Sequence, residues 1–178
     1  MEKQMKKQKV FLTGATGAMG LASLKEILKD IQNQDIVTLA RDSEKNRKIL
    51  APYQDISGLE ILWGDLNDYD MVLQCVRDCD LILHIAAFVS PAADYHPRQA
   101  MQINYGSTRN LSHAIYALGQ ENRTRLVYIG TVAQTGDRMP PIHWGRVGDP
   151  IKPSVFDYYA VSKVAAERLV IESGLKYW

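Results

Sequence analysis

Short apolar runs alternate along the chain with stretches whose apolar positions recur at helical spacing. Val10-Phe11-Leu12 predicts a buried first strand, and Leu21, Leu24, Ile27 and Leu28 predict an amphipathic helix behind it. Asp35–Ala40 predicts a second strand ended by Arg41-Asp42; Ser43 is placed to N-cap a helix running to about Leu50, where Pro52 stops it. Leu59–Trp63 alternates as a third strand and ends at Gly64-Asp65-Leu66, before a helix around Met71, Val72, Cys75 and Val76. Asp80–Ala87 is continuously apolar, as expected of a central strand covered on both faces. A long helix is expected from about Arg98 to Leu118, its stripe formed by Leu111, Ala114, Ile115 and Leu118 and its end by Gly119. Arg125–Ile129 predicts a fifth strand running into Gly130-Thr131. A proline-rich connection from Gly136 to Val155 then leads to a last helix, about Tyr158 to Glu172, closed by Gly174.

This alternation predicts a three-layer α/β Rossmann fold, a doubly wound parallel sheet with helices on both faces. The breaks that end the strands, at Gly14, Arg41, Asp65, Ala86-Ala87 and Thr131, all fall at carboxyl ends. That edge is where open α/β sheets bind ligands.

The first of these breaks carries the clearest chemistry. In Thr13-Gly14-Ala15-Thr16-Gly17-Ala18-Met19-Gly20, glycine recurs at every third position between a strand and a helix, which reads as a cradle for a dinucleotide pyrophosphate. Gly14 allows a sharp turn, Gly17 lets the diphosphate approach bare backbone, and Gly20 lets the helix pack closely. The first-turn N–H groups around Ala18 and Met19 then face the anion.

At the end of the second strand an acidic residue would suit the ribose 2′-OH of NAD. Here Ala40-Arg41 stands instead, and a guanidinium favours a 2′-phosphate, so NADP is expected ahead of NAD, with Asp42 next door arguing the other way. Asp65 is placed to accept from an adenine amino group with Leu66 against the ring; an Asx turn or helix cap would use the same aspartate. Ala86 and Ala87 leave room for the cofactor, or simply pack tightly. His84, inside its strand, reads as a satisfied core histidine. On the last helix Tyr159 and Lys163 share a face at i and i+4; a cation beside a phenol, whose ordinary pKa is about 10, favours the phenolate and makes a usable proton shuttle. Thr131 is placed to offer its hydroxyl to the same substrate oxygen.

The totals narrow the function classes. A chain of 178 residues holds one domain, here taken as 1–178, and a net charge of +1 provides no field for nucleic acid or an acidic membrane. The basic start, Lys3, Lys6, Lys7 and Lys9, precedes an apolar run that breaks at Thr13 and Gly14, so it reads as a frayed tail on a cytoplasmic protein rather than a secretion signal. Cys75 and Cys79 have no His or Cys cluster to complete a metal site and read as reduced thiols; no metal is expected.

Together these positions resemble the extended branch of the short-chain dehydrogenase/reductase superfamily, the NAD-dependent epimerase/dehydratase-like enzymes. The matching stretches are Thr13–Gly20, Gly64-Asp65-Leu66, His84–Ala87, Asn104–Leu111 and Tyr159–Glu167, in order across nearly the whole chain. The resemblance implies that Tyr159 is the general acid/base, that Lys163 favours its phenolate and holds the nicotinamide ribose, and that Thr131 polarises the substrate oxygen. It also implies that Asn104 organises a water and the active-site helix. Gly130-Thr131-Val132 departs from the family's frequent Ser-Ser pair. Extended members continue into another strand and a carboxy-terminal substrate region, whereas this sequence ends at Leu175-Lys176-Tyr177-Trp178, which resembles the opening of a sixth strand; the resemblance thus implies an incomplete chain. The implied activity is hydride and proton transfer at a hydroxyl or carbonyl carbon of a small molecule, with a nucleotide sugar as one candidate, by an enzyme that pairs as a homodimer through its long helices. A dehydratase would want an acid near Thr131, where Asp137 is the nearest downstream candidate; His143, Trp144 and Arg146 are candidate substrate contacts. The alternative is a catalytically silent NADP-binding sensor or scaffold, which has no chemical reason to keep Thr131, Tyr159 and Lys163.

Overall fold

The computed structural model describes residues 6–136 and 150–178. Five parallel strands form one sheet in the order β3-β2-β1-β4-β5: β1 Gln8–Thr13, β2 Gln34–Ala40, β3 Leu59–Trp63, β4 Leu81–His84 and β5 Arg125–Tyr128. The chain winds outward from β1 in one direction to β3, then returns to start again at β4 on the other side, with Thr13 opposite Leu39 on one flank and His84 on the other. The expected doubly wound Rossmann sheet is therefore present, and its switch point lies between the carboxyl ends of β1 and β4.

Alternation within the strands separates two cores. Phe11, Val37, Leu39 and Ile82 face α3 (Tyr69–Val76), α6 (Gly106–Ala117) and α7 (Tyr158–Glu172) through Val72, Leu111, Ile115 and Val170. Leu12, Ile36 and Ala40 face α1 (Ala18–Ile27) and α2 (Glu44–Leu50) through Leu24 and Leu50. Neighbouring side chains in one strand thus go to opposite layers, which makes the sheet buried on both faces.

Ser43 caps α2 as expected, accepting from the Asn46 amide at 3.2 Å. Gly119 and Gly174 follow α6 and α7 with φ of +63° and +75°, the left-handed backbone that ends a helix. β4 is shorter than expected: it stops at His84, and Ile85, Ala86 and Ala87 run on as irregular chain, the Thr13 hydroxyl rather than a neighbouring strand taking the amides of Ile85 and Ala86. The long helix is not uniform either. After the one-turn α4 (Ala92–Tyr95), α5 (Pro97–Ala100) passes through a π-helical stretch, Met101–Tyr105, before α6 begins. Leu175–Trp178 forms no strand, although the Tyr177 carbonyl accepts from Leu126 N–H at 3.1 Å along the outer edge of β5.

Of the basic start, Lys3 lies outside the described residues, while Lys9 lies within β1 and its ammonium donates to the Arg77 carbonyl at 2.8 Å. Cys75 and Cys79 are buried free thiols; Cys79 lies past the end of α3, and burial pushes both thiols up to about 12. Among the described residues no helix is long and apolar enough to cross a membrane. Of the connection expected at Gly136–Val155, the near ends meet where Lys152 N–H donates to Gln134 O; Asp137, His143, Trp144 and Arg146 lie outside the described residues.

Candidate active site

The turn after β1 shows what each glycine does. Gly14 has φ +77°, and a Cβ there would come within 2.8 Å of Ala86 N, so the turn and the chain leaving β4 are packed backbone to backbone. At Gly20 a Cβ would lie 1.9 Å from the Gly14 carbonyl oxygen, so the start of α1 is seated directly on this turn. Gly17 differs from both. Its only neighbour would be Gly14 O at an ordinary 3.4 Å, and its face is open. Gly17 caps α1 with no side-chain hydrogen bond and no acidic residue stands in the first turn. The first helical bond runs from Leu21 N to Gly17 O, so the N–H groups of Ala18, Met19 and Gly20 precede it, and Ala18 and Met19 are exposed beside half-buried Thr16. This is an open concave turn with amide donors at a helix start, a donor set that fits a diphosphate.

Behind the turn lies a buried polar chain that the sequence reading did not foresee beyond placing His84 in the core. The Thr13 hydroxyl accepts from the amides of Ile85 and Ala86, both at 3.1 Å, and therefore has its own proton left for His84 Nδ1 at 2.9 Å. With Nδ1 accepting, the ring carries its hydrogen on Nε2, which donates to Thr108 Oγ1 at 3.0 Å; Thr108 in turn donates to the Asn104 carbonyl at 2.8 Å. Burial, with a smaller push from Lys163, holds His84 down at about 3, so it is neutral and structural.

Asn104 sits within the π-helical stretch. Its Oδ1 accepts from Phe88 N–H at 2.7 Å, while its Nδ2 donates to Phe88 O at 3.0 Å and to Ser162 Oγ at 2.8 Å. Ser162 then donates to the Tyr159 carbonyl. One amide side chain thus ties the segment after β4 to the turn of α7 that bears Tyr159 and Lys163. Ser162 was legible only as the letter before Lys163.

On α7, Asp157 caps the start by accepting from Ala160 N–H, and Tyr159 and Lys163 follow one turn apart. Tyr159 is half-buried, whereas Lys163 is 3% exposed. The Lys163 ammonium lies 4.0 Å above the centre of the Tyr128 ring, and the Tyr128 hydroxyl donates to the Lys163 carbonyl at 2.9 Å. Burial brings the ammonium down to about 8 against the opposing pull of Glu167, and burial raises the Tyr128 phenol. Thr131, just past β5, caps a short 3-10 turn by accepting from Ala133 N–H at 3.2 Å, which leaves its hydroxyl proton free to donate.

The remaining rim positions behave more plainly. Asp65 forms an Asx turn, one oxygen accepting from Asn67 N and Nδ2 at 2.8 and 3.0 Å, and Leu66 packs against the α3/α6 core. Arg41 is exposed. Asp42 is held by Nε and Nη2 of Arg47, at 2.6 and 2.8 Å, and that guanidinium lies 4.6 Å over the Trp63 ring; the Arg47 hydrogen bonds keep the Asp42 carboxyl below its usual range. The aspartate that argued against a phosphate at Arg41 is thus occupied. Among the described residues no group of three or more His, Cys, Asp or Glu could hold a metal ion.

Sheet order, switch point and glycine turn define a Rossmann-type α/β domain. More narrowly, the chain belongs to the NAD dependent epimerase/dehydratase family, whose profile matches residues 10–177. It is 25% identical over 114 residues to UDP-N-acetylglucosamine 4,6-dehydratase (inverting) of Campylobacter jejuni, a match covering 64% of this chain and 34% of that one. It is 27% identical over 173 residues to 3 beta-hydroxysteroid dehydrogenase/Delta 5-->4-isomerase of vaccinia virus, covering 92% and 45%. Among solved structures it resembles the Bordetella bronchiseptica enzyme WbmH in complex with NAD+, with a TM-score of 0.78 and 25% identity over 96% of this chain and 54% of that one. The chain therefore spans about a third to a half of the relatives it matches.

Proposed function

We propose that this chain is the cofactor-binding and catalytic part of an NAD(P)-dependent oxidoreductase or epimerase acting on a small hydroxyl- or carbonyl-bearing substrate, with nucleotide sugars the first class to test. The observation that carries this reading is the coupling of the α7 turn bearing Tyr159 and Lys163, through Ser162 and Asn104, to the segment packed on the Gly14 turn. A site that did no chemistry would have no need to fix those two side chains against the cradle.

Gly14, Thr16, Gly17, Ala18 and Met19 would hold the diphosphate of a nicotinamide dinucleotide, Asp65 and Leu66 its adenine end, and Ala86 and Ala87 its middle. When bound, the cofactor supplies a hydride acceptor or donor. Tyr159 exchanges the proton on the substrate oxygen, Lys163 stabilises the phenolate and would hold the nicotinamide ribose, and Thr131 donates its free hydroxyl proton to the same oxygen. Asn104 acts by positioning, since its amide is spent on Phe88 and Ser162. Arg41, with Asp42 tied to Arg47, supports a preference for NADP over NAD. The NAD+ complex of WbmH and the dehydratase of Campylobacter jejuni support the dinucleotide and the nucleotide sugar respectively. Two copies would pair through α6 and α7, whose outer faces flank a groove of about 560 Å³ at Tyr116, Arg168, Leu169 and Glu172, in a cytoplasmic enzyme.

The deciding experiment is Tyr159→Phe in the full-length protein, assayed across a panel of UDP- and dTDP-sugars by chromatography of the sugar products, which detects redox-neutral turnover, together with nicotinamide absorbance for net oxidation or reduction. Turnover is expected to fall by about 10²–10⁴-fold while the dissociation constant for the dinucleotide stays within about twofold. Unchanged turnover would remove Tyr159 from the chemistry. Dinucleotide binding with no turnover of any hydroxyl substrate would favour the silent module instead.

A further inference from the structure

Tyr128 is the last residue of β5, and nothing in the proton shuttle described above uses it. It stands opposite His84 in the parallel pairing of β4 with β5, and the two ring centres are 6.0 Å apart with the planes tilted by 48°. His84 is itself held at both ring nitrogens, by Thr13 and Thr108, so the Tyr128 ring leans on a fixed neighbour. That same ring carries the Lys163 ammonium 4.0 Å over its centre. The other end of the side chain reaches the backbone of the residue it carries: the Tyr128 hydroxyl donates to the Lys163 carbonyl at 2.9 Å, using the lone pair that the helical i+4 bond leaves over. One side chain from the sheet thus grips Lys163 at two points, ring to ammonium and hydroxyl to carbonyl.

The two contacts suit what a buried lysine lacks. Lys163 is 3% exposed, and burial disfavours its charge. A ring face attracts a cation, by about tenfold in population where water is excluded, yet unlike a carboxylate it does not fix the N–H donors on an oxygen. The hydroxyl holds the backbone end without competing for the proton, because burial raises the phenol and keeps it a donor. We propose that Tyr128 is a positioning residue, the seat that keeps the Lys163 side chain charged and in place with its donors left for a hydroxyl-bearing ligand such as the nicotinamide ribose. The inference rests on the proposed role of Lys163 at the cofactor for its functional meaning, but the seat itself can be observed with no ligand present.

The test reads the proton–carbon NMR signal of the Lys163 ε-methylene in the full-length protein without cofactor, assigned by its loss in Lys163→Arg and recorded below the ammonium's midpoint of about 8. Protons over a ring face are shielded, so the signal is expected upfield of lysines with no ring beside them. Tyr128→Phe, which keeps the ring, should hold it there; Tyr128→Leu should return it to the ordinary lysine position. In a fluorescence titration with NADPH, Tyr128→Leu should weaken binding by about tenfold and Tyr128→Phe by about threefold or less. In a Lys163→Met background the Tyr128→Leu change should leave affinity within about twofold, because a residue that acts through Lys163 then has nothing left to act on. An unshifted signal in the unsubstituted protein or in Tyr128→Phe overturns the seat, as does a signal that stays upfield in Tyr128→Leu. Equal losses of NADPH affinity in both backgrounds would reduce Tyr128 to packing and overturn the positioning role. If Tyr128→Leu fails to fold, the unsubstituted and Tyr128→Phe spectra decide alone: upfield in both upholds the seat, and the ordinary position in either overturns it. If the signals behave as expected while Lys163→Met binds NADPH as tightly as the unsubstituted protein, the seat stands and the reading of Lys163 at the cofactor falls.

Discussion

The Thr13 hydroxyl has one proton to give and two lone pairs to offer, and all three are used: two backbone amides come in and the proton goes to His84. The histidine must then stay neutral, because a second ring proton would face Thr13 with a donor where an acceptor is needed. Its folded pKa of about 3 lies below the ordinary 6.5, so between those values the unfolded chain binds a proton that the folded chain refuses. The contribution to stability is complete above pH 6.5 and is lost as pH falls toward 3, worth about 2 kcal/mol between pH 7 and pH 5. Urea unfolding at those two pH values should show that difference, and His84→Gln should flatten it while costing stability at neutral pH. At Arg41 the test is affinity: NADPH should bind more tightly than NADH by about tenfold, consistent with a charge-assisted contact of one or two kcal/mol, and Arg41→Ala should erase the difference. Equal affinities in the unsubstituted protein would remove Arg41 from cofactor choice.

Within elements, the three glycines of the first turn separate cleanly. Gly20→Ala drives a methyl into the Gly14 carbonyl and should destabilise the fold by about 3 kcal/mol, read as a lowered melting temperature. Gly17→Val meets no protein atom closer than the ordinary 3.4 Å contact and sits at φ −85°, which valine tolerates. It should fold normally and lose dinucleotide binding by about a hundredfold or more in a fluorescence titration. Normal binding by Gly17→Val would refute the cradle. The glycine pattern already assigned Gly17 and Gly20 different roles; what it did not contain is that α1 comes down on the Gly14 carbonyl, a contact made across the turn. The π-helical stretch at Met101–Tyr105 is a similar case. Its apolar period blends into that of the helix on either side, and what distinguishes it is Asn104 reaching both Phe88 and Ser162, partners 16 and 58 residues away.

For the molecule as a whole, the proposed pairing of α6 and α7 between two copies predicts a dimer mass by sedimentation equilibrium and a monomer for Leu169→Asp with unchanged circular dichroism; a monomeric unsubstituted protein would dismiss it. The sequence by itself determined the order of the five strands and of the main helices between them, because a strand buried on both faces and a helix with one apolar stripe leave local periods that any fold must respect. It also determined the glycine turn, the Ser43 cap and the shared face of Tyr159 and Lys163, since each is set within a few residues of chain. Tertiary structure alone decided where β4 ends, which tautomer His84 carries and what occupies Asp42. Those outcomes depend on partners far apart in the chain and on exclusion of water, and neither distance nor dielectric is written in the spacing of residues.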